Sequence, residues 1–189
     1  MNIIAGKARN LELLVPRGME IRPTAGRARK ALFDSLMPLD GTCVIDLCSG
    51  SGAPALEAAS RGAAVVVAVE KDPEHVKIIR ANADRVLKTG VTCDVKIVNA
   101  DILGVATYAS WLDRCDLILA DPPYADSARL FCELLKDPVF QERAAGCRLV
   151  WEIPDYPGAA GEFLQTPGLR DAELRRFGGT LFLFGSVGK

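Results

Sequence analysis

Short apolar runs alternate with helical patterns from residue 42 onward, and this alternation restricts the possible folds more than any other feature of the chain. Residues 42–48 (TCVIDLC) form a nearly continuous apolar run, which is typical of a strand covered on both faces. Further strands are predicted at 63–70, 93–99, 115–121 and 148–153. Because strands separated by helices pair in parallel through right-handed crossovers, the sequence predicts a doubly wound, mostly parallel α/β sheet.

Turn and capping residues place the helices between these strands. Pro54 falls in the first turn of one predicted helix. Asp72 can cap the next helix, which begins at Pro73 and is ended by Gly90. Residues 128–143 are also mostly helical in pattern, with an interruption around Asp137-Pro138.

The two ends of the chain depart from this alternation. Residues 169–177 and 180–185 are separated by two glycines, which predicts an antiparallel hairpin and brings the sheet to seven strands. Near the start, Ile3–Ile4 and Leu11–Val15 predict a small β-hairpin, followed by a basic helix that ends near Met37. We therefore expect an N-terminal extension over residues 1–40 and a Rossmann-like domain over residues 41–189.

The composition favours a single globular core. Apolar residues make up 49% of the chain and charged residues 25%, and the longest apolar run is far shorter than the roughly 20 residues that cross a bilayer. The first residues show no apolar stretch of signal-peptide length. The six cysteines form no CxxC pair and only one histidine accompanies them, so metal-ligand spacing is absent. We expect a soluble cytoplasmic protein with reduced thiols, no membrane association and no metal.

Positive charge is concentrated at the start of the chain. The net charge is −1 overall, yet residues 1–31 hold seven Lys and Arg against two Glu, a net charge of +5. A basic segment on an acidic body suggests docking to a polyanion such as RNA. A solvated charged face would explain the same pattern, so charge alone leaves both interpretations open.

Polar and small residues follow the first three predicted strands. Asp46 and the glycines of Gly50-Ser51-Gly52 lie at the end of the first strand, Glu70 ends the second and Asp101 follows the third. Glycines let a backbone approach a ligand closely, and open α/β sheets bind ligands at the carboxyl edge. A carboxylate at position 70 suits two ribose hydroxyls, and one at 101 can reach an adenine amino group. Each acid alone could equally be a hydrated strand-end cap.

Asp121-Pro122-Pro123-Tyr124 follows the fourth predicted strand. The two prolines remove two N–H donors and hold the backbone extended, which leaves a carboxylate and a carbonyl as acceptors beside an aromatic ring. This set suits a planar ligand with an exocyclic NH2 group, since two acceptors take its hydrogens and the ring stacks on it. The alternative is a rigid turn with the tyrosine packed on the core.

Taken together, these motifs are similar to class I S-adenosylmethionine-dependent methyltransferases that act on exocyclic amino groups. The N-terminal segments Ile3-Ile4-Ala5-Gly6, Arg22-Pro23-Thr24, Arg27-x-Arg29 and Ala31-Leu32-Phe33 resemble the signature of the RsmD family. Members of that family methylate guanine N2 in bacterial small-subunit ribosomal RNA. The chain departs from the family pattern at Lys30, Asp34, Leu47-Cys48 and Pro54.

The resemblance implies a role for each matching position. The catalytic residues would be Asp121, Pro122, Pro123 and Tyr124. S-adenosylmethionine would be held by Asp46, which meets its amino group, and by Cys48, Ser49, Gly50, Ser51, Gly52, Glu70, Lys71, Ala100, Asp101 and Asp121. Small-subunit ribosomal RNA, free or within an assembling particle, would be bound by Lys7, Arg9, Arg22, Thr24, Arg27 and Arg29.

Other functions share parts of this pattern. The same acceptors at 121–124 would serve an amino methyltransferase for adenine or cytosine in RNA or DNA. Gly50-x-Gly52-x-x-Ala55, with Glu70 about 20 residues on, also satisfies the dinucleotide fingerprint of a nicotinamide-dependent dehydrogenase. A non-catalytic RNA-binding module is a further alternative, which the intact 121–124 motif disfavours.

Overall fold

Seven strands form one sheet in the computed structural model of the chain, which describes residues 1–16, 23–36 and 38–188. The strands are β1 (Cys43–Leu47), β2 (Val65–Glu70), β3 (Asp94–Asn99), β4 (Leu117–Ala120), β5 (Arg148–Ile153), β6 (Leu169–Phe177) and β7 (Thr180–Val187). Their order across the sheet is β3-β2-β1-β4-β5-β7-β6. The first five pair in parallel and β7 is antiparallel to both of its neighbours, which confirms the predicted fold class.

Helices cover both faces of the sheet. They are α1 (Pro23–Leu36), α2 (Ala53–Ser60), α3 (Pro73–Leu87), α4 (Ala109–Leu112), α5 (Tyr124–Lys136), α6 (Pro138–Arg143) and α7 (Ala159–Leu164). The first three pack on one face and the last four on the other, so the molecule has two apolar cores. Consecutive β1 residues alternate between them, with Val44 in the first core and Ile45 in the second. This is why residues 42–48 are almost entirely apolar.

The strand order reverses beside β1, and this position determines where a ligand can bind. β2 pairs with one edge of β1 and β4 with the other, so the connections that leave β1 and β4 turn to opposite faces of the sheet. A crevice opens at the carboxyl ends of strands at such a reversal. The predicted ligand residues at 46–52 and 121–124 follow these two strands.

The predicted N-terminal β-hairpin forms only as a minimal antiparallel pairing. Asn2 and Glu12 make one isolated antiparallel bridge, and the amide of Ile3 donates to the carbonyl of Leu11 at 2.9 Å. The bridge does not extend into a longer ladder, and a buried carboxylate accepts from the two amides that follow Ile3. The amides of residues 4 and 5 donate to the Glu57 carboxylate of α2, at 2.7 and 3.0 Å.

Other differences from the sequence prediction concern short or shifted helices. No sequence pattern predicts α4, α7 or the 3-10 turn Val105–Thr107, because all three are too short to show a clear period. The helical region predicted over 128–143 begins four residues earlier, while its predicted interruption is confirmed, since α5 ends at Lys136 and Asp137 caps α6. α1 ends at Leu36, and the predicted end near Met37 lies outside the described residues.

Two further expectations concern membranes and thiols. Among the described residues, none of the helices has the length and apolar character needed to cross a membrane. All six cysteines are free, and Cys43 and Cys147 are buried.

Candidate active site

A cleft of about 580 Å³ opens at the carboxyl ends of the central strands. Its wall comes from the loops after β1, β2, β3 and β4, as expected for the crevice beside a strand-order reversal. It contains these residues predicted from the sequence: Cys48, Gly50, Glu70, Lys71, Ala100, Asp101 and Asp121 to Tyr124. Its volume lies within the roughly 300–1,000 Å³ that is usual for small-molecule sites.

A smaller cavity of about 170 Å³ adjoins this cleft. The two share Cys48, Gly50 and Asp121 as lining residues. The smaller cavity adds three more of the predicted cofactor residues, Asp46, Ser49 and Ser51. Gly52 alone among the predicted cofactor residues lines neither space. The predicted cofactor residues other than Gly52 therefore line one site with a large and a small compartment.

The loop after β1 has an unusual backbone. Cys48, Gly50 and Gly52 all have positive φ angles, of 62°, 55° and 79°. A Cβ atom at position 52 would lie 3.0 Å from the Ile79 side chain of α3. Gly52 is thus required where the loop enters α2, while a non-glycine residue at position 48 adopts a strained conformation of the kind found at ligand sites.

Glu70 connects the loop after β1 with the start of α3. Its buried carboxylate accepts hydrogen bonds from the amide of Gly50 at 2.7 Å and from the amide of Asp72 at 2.9 Å. His75 Nδ1 lies 3.7 Å from the same carboxylate. A carboxylate has about four acceptor positions, so two remain for hydroxyl groups in the cleft.

Asp46 is 1% exposed and lies at the end of the smaller compartment. Its carboxylate accepts a hydrogen bond from the amide of Ala55 at 3.2 Å. Burial raises the pKa of Asp46 to about 7, and the charge of Glu70 adds to the rise. A buried carboxylate of this kind gains a full charge most readily when a cationic group binds beside it.

Asp101 is held in a tight turn after β3. Its carboxylate accepts a hydrogen bond from the amide of Leu103 at 2.9 Å, and the side chain is exposed at the cleft. This arrangement leaves acceptor positions free to meet an amino group of a ligand.

The 121–124 motif forms the junction between β4 and α5. Pro123 is the N-cap of α5 and Tyr124 its first residue, so the ring projects from the carboxyl edge of the sheet. The Tyr124 hydroxyl donates to Glu152 of β5 at 2.7 Å. The ring is therefore held at its hydroxyl end, while 40% of the residue remains exposed.

Tyr124 also lines a third space. This cleft has a volume of about 520 Å³ and includes Pro154, Asp155, Tyr156 and Thr180. It lies between the loop after β5 and the turn that joins β6 to β7. Tyr124 is thus a wall common to the large compartment and this third cleft.

The predicted RNA-binding residues are not brought to one place. Arg27 is exposed on α1, whereas Arg29 on the same helix is partly buried and lines the smaller compartment. The turn that carries Lys7 and Arg9 is hydrogen-bonded to the last residue of α2, since the Lys7 amide donates to the Ser60 carbonyl at 2.8 Å. Because α2 runs from the carboxyl edge to the amino edge, Ser60 and this turn lie at the end opposite the cleft. Arg22 and the side chain of Thr24 lie outside the described part of the chain.

Several residues at the site belong to no motif that predicts their role. His75 is half-buried and lines the large cleft. Its position in the first turn of a helix that follows β2 was the available signal, because such turns lie at the carboxyl edge. Glu152 and Tyr156 offered no comparable signal, since neither belongs to a recognisable motif. Within residues 1–16, 23–36 and 38–188, no group of acidic, His or Cys side chains could hold a metal ion.

Comparison with known proteins places this site in a family. The family model described as "Conserved hypothetical protein 95" matches residues 1–147. Ribosomal RNA small subunit methyltransferase D of Escherichia coli is 32% identical over 129 residues, which are 66% of this chain and 60% of that protein. The chain thus spans less than two thirds of that curated relative's length.

Solved structures extend the likeness over the whole chain. A hypothetical protein of Thermus thermophilus superimposes with a TM-score of 0.72 at 32% identity and covers 99% of both chains. The yhhF protein of Escherichia coli, described as a methyltransferase, superimposes with a TM-score of 0.71 at 24% identity, over 100% of this chain and 99% of that one. With its Rossmann-like sheet and its matching N-terminal segment, the chain belongs to the RsmD family.

Proposed function

We propose that this protein transfers a methyl group from S-adenosylmethionine to the exocyclic N2 amino group of a guanosine in small-subunit ribosomal RNA. The observation that carries the proposal is the position of Asp121, which lines both compartments and is followed in the wall of the larger one by Pro122 and the exposed ring of Tyr124. The name of the Escherichia coli relative supports the ribosomal substrate. The two-part division into residues 1–40 and 41–189 belongs to the same proposal.

The donor groups present fit S-adenosylmethionine. Glu70 keeps two acceptor positions for the ribose hydroxyls and Asp101 keeps one for the adenine amino group. Asp46 is a buried carboxylate at the other end, where the cofactor's ammonium group would bind. When bound, the cofactor supplies an electrophilic methyl group on a sulfonium.

The residues at 121–124 prepare the accepting amine. Hydrogen bonds from the NH2 group to the Asp121 carboxylate and the Pro122 carbonyl hold the nitrogen lone pair away from conjugation with the base and in one direction. The carboxylate also opposes the positive charge that develops on nitrogen as it is methylated. The product ammonium loses its proton readily, so a separate general base is unnecessary.

The target base would stack on Tyr124. The hydrogen bond to Glu152 fixes the ring, and the third cleft on its far side has Tyr156 as a second exposed aromatic residue. A guanosine must leave its RNA stack to reach this place, and an aromatic surface offsets part of the unstacking cost. Residues of α1, including the exposed Arg27, would contact the RNA backbone nearby.

The proposal is tested by methyl transfer to defined RNA. Protein is incubated with labelled S-adenosylmethionine and either free small-subunit ribosomal RNA or assembling particles, and the RNA is digested to nucleosides. Label in N2-methylguanosine is the expected result. Label in adenosine or cytidine would instead establish the other amino methyltransferase. Absence of transfer, together with NAD binding, would support the dehydrogenase.

Glu70→Ala is expected to weaken cofactor binding by about 10- to 150-fold, since two hydrogen bonds from ribose hydroxyls to a carboxylate are lost. Titration calorimetry with S-adenosylhomocysteine measures the change. Glu74→Ala is the control, because Glu74 is an exposed acid in the first turn of the following helix, α3, and pairs with Lys77. Unchanged affinity in a folded Glu70→Ala protein would show that the ribose binds elsewhere.

Cofactor affinity is expected to fall as the pH drops below about 7. Asp46 is ionised only above its raised pKa of about 7, while the cofactor's ammonium group binds best to the ionised form. Below pH 7 the Asp46 carboxyl is protonated in the free protein, so cofactor binding must release this proton. The release lowers the affinity by up to about tenfold per pH unit. Calorimetry in buffers of different ionisation enthalpy should detect this proton release at pH 6. Asp46→Asn should abolish the release.

A further inference from the structure

Arg29 occupies an unusual position for a residue of a basic N-terminal segment. Its side chain lines the smaller compartment next to Asp46 and Gly50, although it comes from α1 and not from a strand-end loop. One terminal nitrogen donates to the carbonyl of Asn2 at 2.7 Å, and the other lies 2.9 Å from the Met1 sulfur. Its Nε atom is buried and makes no hydrogen bond with the described residues.

Arg29 contributes positive charge to the wall of the smaller compartment, whose other described lining residues have acidic or uncharged side chains. Asp46, Asp121 and Glu152 contribute carboxylates to its wall, and Arg29 is the one cationic side chain among its described lining residues. Burial lowers the pKa of Arg29, while the charge of Glu57 opposes that shift. A guanidinium nevertheless stays charged in proteins. The compartment therefore presents a cation and a buried carboxylate to the same small space.

This pairing of charges suits an amino-acid zwitterion. An ammonium group needs a carboxylate partner, and a carboxylate is bound most specifically by the planar fork of a guanidinium. We propose that Arg29 binds the α-carboxylate of the amino-acid part of S-adenosylmethionine, opposite Asp46. The inference rests on the proposed function. It assigns Arg29 to the cofactor and not to RNA.

The neighbouring residues of α1 support this division. Arg27 and Lys30 are exposed on the helix, and the Lys30 side chain is 62% exposed and paired with Asp34. A phosphate backbone can reach such side chains from solvent. Arg29 instead has its terminal nitrogens against residues 1 and 2 and its Nε buried, and the residue lines the compartment.

The test compares two ligands that differ by one group. S-adenosylmethionine and its decarboxylated form share the nucleoside, the sulfonium and the ammonium, and only the first has a carboxylate. Arg29→Met removes the charge and keeps an unbranched apolar stem. We expect it to weaken binding of S-adenosylmethionine by about 10- to 100-fold, as for loss of a charged hydrogen bond. Affinity for the decarboxylated form should change by less than about threefold.

Two further variants make the result specific. Lys30→Gln removes a positive charge from the next position of the same helix and should leave the affinity for both ligands unchanged. Arg29→Lys keeps the charge but loses the fork, so it should discriminate between the ligands by an intermediate ratio. Arg29→Lys also carries the test if Arg29→Met does not fold, which circular dichroism and thermal unfolding will show.

The possible failures separate the inference from the proposed function. If Arg29→Met loses affinity equally for both ligands, or for neither, the inference is overturned while the proposed function stands. Weaker RNA binding with a reduced salt slope and unchanged ligand discrimination would return Arg29 to the RNA interface. Wild-type protein that binds neither ligand would contradict the proposed cofactor itself.

Discussion

Asp121→Asn should lower single-turnover methylation by roughly 10²–10³-fold, the loss typical when one preorganised electrostatic contact is removed from a site. The substitution keeps the shape of the side chain, yet it replaces an acceptor oxygen with an NH2 donor and removes the charge that opposes the developing ammonium. Cofactor affinity should stay within a few-fold, because Asp46, Glu70 and Asp101 are untouched. The measurement is rapid-mix methylation of ribosomal RNA with enzyme in excess, together with calorimetry of the cofactor.

Asp113→Asn is the matched control for that experiment. It makes the same chemical change at an exposed aspartate that pairs with Arg143 and lines none of the three spaces. Its methylation rate should equal that of wild type. A wild-type rate in Asp121→Asn as well would mean that the amine is not held by Asp121, and the amino-group mechanism would be wrong.

Glu57→Ala should destabilise the fold by about 3–5 kcal/mol, the usual cost of removing one partner of a buried ion pair. The Glu57 carboxylate is fully buried and accepts from the amides of Ile4 and Ala5 and from Arg61 Nε at 2.7 Å. Its loss leaves two partly buried amides and a 4%-exposed guanidinium without this acceptor. Equilibrium unfolding in urea measures the change in the free energy of unfolding.

Glu133→Ala provides the comparison for Glu57→Ala. Glu133 also pairs with an arginine four residues away, Arg129, but both side chains are about half exposed. Exposed ion pairs contribute about 0–1 kcal/mol to the free energy of unfolding, so this variant should unfold at almost the same urea concentration as wild type. Hydrogen exchange adds a local readout, since the amides of residues 4 and 5 should lose protection in Glu57→Ala. Similar unfolding midpoints for the two variants would show that Glu57 does not secure the N-terminal segment.

The strands were predictable because the physics that forms them is local. β1, β2 and β5 are buried on both faces, so their sequences are continuous apolar runs that stand out between helices. Gly178 and Gly179 marked the β6–β7 turn for a similar reason, since both have positive φ angles. The N-terminal hairpin is shorter than its pattern predicts, because the amides of residues 4 and 5 donate to the Glu57 carboxylate, which lies about fifty residues away in the chain and could not be seen from local pattern.

The site was predictable to the extent that parallel strands deliver their carboxyl ends to one edge. Asp46, Glu70, Asp101 and Asp121 end or follow four different strands, and the fold brings all four to the connected compartments. Arg29 could not be placed in this way, because a helix outside the alternating pattern carries it. Its position depends on how α1 packs across the sheet, which is a tertiary property.

Two departures from the family pattern also became interpretable only in three dimensions. Lys30 and Asp34 are ion-paired along α1 at 2.5 Å, and Asp34 also accepts from Arg61 at 2.9 Å. The hydrogen bond from Lys30 is the main cause that lowers the pKa of Asp34, and Arg61 adds to it. The two unusual residues thus form one surface network and do not line the cofactor compartments.

The shared wall formed by Tyr124 has a consequence for kinetic experiments. One ring, tethered to Glu152, forms part of the wall of both the large compartment and the third cleft. A ligand that fills either space restricts the same side chain, so occupancy of one side changes the entropy cost of filling the other. Substitutions at Tyr124 will therefore alter the affinity for both substrates. Their effect on turnover can be interpreted only when the affinity for each substrate is measured in the presence and in the absence of the other.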